Sequence, residues 1–210
     1  MTGFTDLIQG YRRFHKQDWQ AQRSRWQELA LGQNPKVMII ACSDSRVDPA
    51  RIFDVSPGEI FIVRNVAALV PPYETGGGYH GVSAALEFAV TQLEVEEIVV
   101  MGHGMCGGCQ AALTASFDGA EPGEGGFISA WIGLLDEARQ KVIAAHGETG
   151  ADAQHAMEHA AVQKSLENLR TFPFVENRER DGRISLHGAW FAIDGGILHL
   201  LDEAGTFHPA

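Results

Sequence analysis

Two short apolar runs constrain this chain more than any other feature. Residues 37–41, VMIIA, follow Asn34 and Pro35 and lead straight into Cys42. Residues 97–101, EIVVM, lead into Gly102-His103-Gly104. Both read as buried strands. Residues 59–64 read as another strand, entered through the turn Ser56-Pro57-Gly58. Between the strands, residues 81–93 align Val82, Leu86, Ala89 and Leu93 on one helical face. Strand, crossover helix, strand in this order implies a parallel sheet with helices on its faces. Ligands bind such sheets beyond the carboxyl ends of the strands, so Cys42 and His103 fall at one edge.

The predicted fold is therefore α/β, with a central, mostly parallel sheet and flanking helices. Residues 1–34 form a helical arm: Phe4, Leu7, Ile8 and Tyr11 share one face, and a second helical stretch carries Trp19, Trp26 and Leu29. With its other face polar, the arm is expected to pack on a neighbouring subunit. Residues 35–210 form the main domain. A connector at 123–126, helices at 127–146 and 151–169, and a closing β-hairpin around Asp194-Gly195-Gly196 complete it. The 75–79 stretch, TGGGY, does not join a strand to a helix and reads as a flexible loop rather than a phosphate cradle.

A formal net charge of −11 argues against a large nucleic-acid footprint. No run approaches the ~18 apolar residues of a membrane span, and no secretory signal is expected. Three cysteines argue against a disulfide framework. The expected compartment is the reducing cytoplasm, where clustered Cys and His are more often metal-binding or catalytic.

His103-x-x-Cys106 is a local pair of metal ligands, and Cys42 adds a third from a remote strand end. Zinc takes thiolate and imidazole in a tetrahedral shell, and three protein ligands leave one position for chemistry. A cysteine alone is more often packed than liganding. Asp44 and Arg46, two and four residues past Cys42, shift the balance. A carboxylate beside a metal can orient water or take its proton, and arginine can hold that carboxylate through paired N–H donors. Two thiolates cancel the charge of Zn²⁺, so activity is expected to rise into the alkaline range.

The blocks ACSDSRVDP (41–49), PGEIFIVRNVA (57–67) and GHGMCGG (102–108) resemble the β class of carbonic anhydrases. The resemblance continues through SLENLRTFPFV (165–175) and LHGAWFAIDGGIL (186–198). It implies one Zn²⁺ per chain on Cys42, His103 and Cys106, and reversible hydration of carbon dioxide to bicarbonate by zinc-bound hydroxide. It makes Asp44 and Arg46 a catalytic dyad, in which the aspartate of some members swings onto zinc. It gives Gln33 a donor role toward substrate across a dimer interface. It gives Phe61, Val66 and Phe88 the lining of a small apolar pocket, and Gly107 an N–H directed at substrate. Relatives often carry tyrosine at the Phe88 position, so no hydroxyl acts there. Ile39 stands where another branch has a tryptophan of a regulatory bicarbonate site, so the plant-like, open-site branch fits and no such regulation is expected. Homodimers or tetramers are implied, with no nucleic-acid or membrane partner.

Gly104 replaces the usual serine or threonine, and Cys109 an aliphatic residue. Cys106-Gly-Gly-Cys109 matches a redox spacing, but a packed thiol is the expectation. His155 and His159, spaced i, i+4, read as a solvated helix face. His80, in the loop before the helix at 81–93, is one guess at a proton shuttle. Two rival functions stay open: hydrolysis of carbonyl sulfide or carbon disulfide at the same zinc, and a non-catalytic zinc-binding protein.

Overall fold

The apolar runs become neighbours in one six-stranded sheet ordered β2-β1-β3-β4-β5-β6. The structure, a computed structural model, describes residues 3–76 and 78–210. It divides into two units, Met1–Asn34 and Pro35–Ala210.

The first unit holds α1 (Phe4–Lys16), α2 (Asp18–Ala21) and α3 (Arg23–Leu29), none with a buried residue. Asp6 accepts the Gly3 N–H at 2.9 Å, and Arg13, His15 and Lys16 occupy the last turn of α1. That charge order suits the helix dipole. Phe14 meets Trp26 edge-on at 5.7 Å, and His15 stacks on Trp19 at 5.1 Å. Phe4, Leu7 and Tyr11 form an exposed stripe.

In the second unit β1 (Val37–Cys42) is followed by α4 (Pro49–Ile52), β2 (Ile60–Asn65), α5 (Gly81–Thr91) and β3 (Glu97–His103). Then come α6 (Gly107–Thr114), α7 (Gly126–Ile132), α8 (Asp136–His146), α9 (Ala151–Leu169) and α10 (Pro173–Arg180). The chain closes with β4 (Ser185–Ala192), β5 (Ile197–Leu201) and β6 (Phe207–Pro209). The first four strands of the sheet are parallel; β5 and β6 are antiparallel, as the predicted hairpin requires.

Apolar side chains line both sheet faces. On the face that α9 covers, Met38, Ile40, Leu86, Ile98, Val162, Leu166 and Phe172 form one cluster and Leu113, Leu135, Met157 and Ala161 belong to another; Ile39, Ala41, Met101 and Ala189 pack on the opposite face. Burying each large side chain contributes about 1.5–3 kcal/mol. α9 serves both clusters and is the most buried helix, from Ala153 to Leu169. It lies so close to the sheet that a Cβ on Gly102 would stand 2.7 Å from Val162 Cγ2. Glycine next to His103 thus lets the helix and the site strand approach.

Several elements differ from the sequence expectation. β3 runs on through Gly102 and His103, because both continue the ladder with Trp190 and Phe191 of β4. The helix expected at 127–146 is two helices, split by a 3-10 turn at Gly133–Leu135. α10 was not anticipated, although Pro173 at its first turn is a helix-start signal. β6 is only three residues long and carries no alternation to read.

His159 corrects the solvated-face reading of α9. It is half-buried, stacked on Phe207 at 4.0 Å and set edge-on to Trp190 at 5.2 Å, while His155 is exposed. Burial, aided by His155 and His199, pushes its pKa from 6.5 down to about 4. Between those values the unfolded chain binds the extra proton, so stability falls as pH drops through that window. The contribution is on the order of 1–2 kcal/mol. His159→Phe should lose that part of the pH dependence, read as a smaller shift of the urea midpoint between pH 7 and pH 5.

Candidate metal centre

β1 and β3 pair in register from Val37↔Glu97 to Ala41↔Met101. Their last residues, Cys42 and His103, are therefore near neighbours at the carboxyl edge. Met105 takes a left-handed φ of 56°, which turns the chain back and seats Cys106 at the N-cap of α6. Cys42, His103 and Cys106 are 6%, 1% and 2% exposed. Their ligand atoms all lie within 4.8 Å of one another, with the two sulfurs 3.9 Å apart.

His103 Nδ1 is 2.9 Å from the Gly104 carbonyl, to which it donates. That bond puts the lone pair on Nε2, and Nε2 is buried without a hydrogen-bond partner. A buried, unpaired imidazole nitrogen beside two thiols is costly as it stands. The donor set and the orphaned nitrogen together fit zinc.

Without metal, Cys42 is pushed up to about 12 by its contact with Cys106 and by burial. Cys106 is likewise pushed up to about 12, chiefly by the Cys109 side chain. Both thiols must lose protons when a dication binds. His103, its pKa raised above the ordinary imidazole value against the effect of burial by Cys42 and the Gly104 carbonyl, must also be neutral, so the logarithm of apparent zinc affinity should rise with pH at a slope of about two or more. Chelator competition between pH 6 and pH 8 measures it, and a flat line would contradict ligation by two thiols.

Asp44 stands beside the cluster, its Oδ2 3.9 Å from His103 Nε2. Arg46 grips it in fork fashion: Nε donates to Oδ1 at 2.9 Å and Nη2 to Oδ2 at 2.7 Å. The Arg46 side chain, with help from its backbone N–H, holds the Asp44 carboxyl well below the usual carboxylate range. Arg46 Nη2 also donates to Met105 O at 2.9 Å, tying the two loops of the site together.

The sequence reading assigned no role to Arg64. Its Nε donates to Cys42 O at 2.9 Å, and its Nη2 to Asp44 O at 2.6 Å and Val47 O at 2.8 Å. It pins the backbone that carries both Cys42 and Asp44. Its place in the ladder explains the reach, since Arg64 pairs with Ala41, beside the ligand.

Val66 reaches the same edge, since a Cβ on Gly108 would stand 2.7 Å from Val66 Cγ1. Gly107 opens α6 next to Cys106. Phe61 and Phe88 stack on each other at 6.0 Å. Phe61 pairs with Met38, four positions before Cys42, so it lies about 13 Å down the strand from the ligand end. Gln33 belongs to the first unit and is exposed. Cys109 is a buried, free thiol within α6, and His80 is exposed with its Nε2 3.2 Å from Gly76 O.

A carbonic anhydrase family model matches residues 37–198. The chain belongs to the β-carbonic anhydrase family. It is 38% identical over 190 residues to beta carbonic anhydrase 5, chloroplastic, of Arabidopsis thaliana. That match covers 90% of this chain and 61% of the relative, so the chain spans less than two thirds of that protein. The solved β-carbonic anhydrase CcaA superposes with a TM-score of 0.92 at 30% identity, covering 100% of both chains. One of the tetrameric β-carbonic anhydrases of Sordaria macrospora matches at TM-score 0.80 and 25% identity, over 94% of this chain and 96% of its own. The match to the carbonic anhydrase family model takes in Cys42, His103 and Cys106, and zinc is the metal their donor set fits.

Proposed function

We propose that this chain catalyses the reversible hydration of carbon dioxide to bicarbonate and a proton, with zinc held by Cys42, His103 and Cys106. The observation that carries this reading is the buried three-donor cluster with the Asp44 carboxylate oxygen 3.9 Å from His103 Nε2. Three protein donors leave a fourth position for a reactant, which a purely structural zinc does not need. When bound there, zinc supplies Lewis-acid activation of water, lowering its pKa from 15.7 toward the working range.

The chain's own residues do the rest. Asp44, kept ionised by Arg46, is a hydrogen-bond acceptor that orients a reacting O–H. Arg46 sets the carboxylate's direction. Arg64 fixes the loop, so the acceptor holds station relative to the ligands. Val66 supplies apolar wall for an uncharged substrate, and the Gly107 N–H a donor for the product oxygen.

Gln33, Phe61 and Phe88 serve this chemistry in a homodimer or tetramer, where a second copy can bring them to a site. Exposed Ile62, Val66 and Phe88 support such an interface, as does the tetrameric state of the Sordaria proteins. The arm at residues 1–34 packs on that neighbour through Phe4, Leu7 and Tyr11. Removing residues 1–30 should lower the oligomer mass in analytical ultracentrifugation, and an unchanged mass would refute that role. An odd count of three cysteines, two of them assigned to zinc, supports a reducing compartment such as the cytoplasm.

The deciding measurement is stopped-flow carbon dioxide hydration near pH 8.5 with zinc assayed on the same sample. Zinc-dependent hydration rising with pH is expected. Stoichiometric zinc with no hydration at alkaline pH would overturn the proposal.

A further inference from the structure

Glu158 is a charged residue that the reaction does not use, yet it is only 2% exposed. It sits in the middle of α9, against the turn that carries Cys106. Its Oε1 accepts the Cys106 backbone N–H at 3.0 Å and Gln154 Nε2 at 2.6 Å. Its Oε2 accepts Trp190 Nε1 at 3.1 Å. Gln154 Nε2 is also 3.1 Å from the Cys106 carbonyl, to which it donates. The peptide groups on both sides of Cys106 are thus held by one carboxylate–amide pair.

A buried carboxylate costs free energy even when satisfied. A helix that needed only packing here would carry leucine or methionine, as it does at Leu166 and Met157. The three donors come from separate places: the metal turn, one turn earlier in α9, and β4. Their convergence therefore fixes the turn relative to both α9 and β4. The turn needs that support, because Met105 holds a left-handed φ of 56°, which a non-glycine residue keeps only when its surroundings over-determine it. Trp190 closes the same unit from the other side: a Cβ on Gly104 would stand 3.2 Å from its Cζ2.

We propose that Glu158, braced by Gln154 and Trp190, is a positioning residue for the metal centre that holds the Cys106 thiol in place beside Cys42 and His103 before metal arrives. The inference rests on the metal reading above. Glu158 touches neither metal nor substrate; it acts through the Cys106 backbone.

The test uses the full chain and two metals alone. Zn²⁺ affinity is measured by competition with a chromophoric chelator, and site geometry by the visible absorption of the Co²⁺-loaded protein. Glu158→Gln puts an NH₂ group against N–H donors and should weaken Zn²⁺ binding about 10–100-fold, with an altered Co²⁺ spectrum. Glu158→Asp, which draws the carboxylate back by one methylene, should weaken it in the same sense, and it is read by the same criteria if Glu158→Gln does not fold. Leu169→Ala is the control: it loosens α9 by losing a fully buried side chain and should leave Zn²⁺ affinity within about threefold. Wild-type affinity and spectrum in a folded Glu158 variant would overturn the inference. So would an equal loss of affinity in Leu169→Ala, since that would reduce Glu158 to general stability. A wild-type chain that takes up no Zn²⁺ would overturn the metal reading itself, before any variant is compared.

Discussion

Cys42→Ala should yield a folded chain that loses its zinc to a chelator and hydrates carbon dioxide at least about 10³-fold more slowly. Structural zinc sites bind with apparent free energies of about 10–16 kcal/mol, so losing one of three protein ligands forfeits several kcal/mol. Each 1.4 kcal/mol is about tenfold in affinity. The fold should survive, since removing one sulfur from the strand end leaves the ladder with Asn65 intact and opens a void costing about 1 kcal/mol. Zinc content after chelator dialysis, circular dichroism and stopped-flow hydration check the three parts separately. If the variant kept stoichiometric zinc and a wild-type rate, Cys42 would not be a ligand. His103→Ala should match Cys42→Ala in metal loss, because it too removes one of the three donors.

The legibility of this site in the sequence follows from where its parts lie. Cys42 and His103 end apolar runs that read as strands of one parallel sheet, so the βαβ order places both at its carboxyl edge; that β1 lies between β2 and β3, which makes the two strands neighbours, is visible only in the fold. Asp44 and Arg46 lie within four residues of Cys42, and their geometry is fixed by a short turn. Arg64 and Glu158 are different. Each acts on the backbone of a ligand from an element far away in sequence: Arg64 from 22 residues after Cys42, and Glu158 from 52 residues after Cys106. A lone arginine in a strand or glutamate in a helix looks like any solvated charge, and only the packing of α9 on the sheet tells Glu158 from exposed Glu167. His159 escaped for the same reason. Its i, i+4 spacing with His155 is visible, but Phe207 and Trp190, which bury it, arrive from β6 and β4. The break at Gly133 and the helix after Pro173 are local decisions within a few residues, where helix boundaries are least determined by pattern. The roles proposed for Gln33, Phe61 and Phe88 call on a second copy of the chain, a circumstance that no periodicity in one sequence expresses.

Asp44→Asn should keep zinc while hydrating carbon dioxide about 10²–10⁴-fold more slowly, the range for losing a positioned group at the reacting proton. Metal is retained because the three donors that meet within 4.8 Å do not include Asp44. Asparagine has nearly the same shape but only one acceptor oxygen, so it cannot receive both Arg46 donors that now reach Oδ1 and Oδ2. Arg46 would keep its bond to Met105 O and at most one of its two side-chain bonds to position 44. The pH profile separates this role from a merely electrostatic one. The carboxyl group of Asp44, its pKa lowered first by the Arg46 side chain, is ionised at every pH where hydration would be measured. It contributes no titration between neutral and alkaline pH, so the variant's rate should fall by the same factor across that range and its alkaline limb should keep its midpoint. Arg46→Lys should give a smaller loss, about tenfold, since the charge stays while the fork is lost. A near-wild-type rate in zinc-loaded Asp44→Asn would leave the carboxylate as structural support for Arg46. A shifted alkaline limb would mean instead that Asp44 acts mainly by its charge on the titrating group, and not as the acceptor.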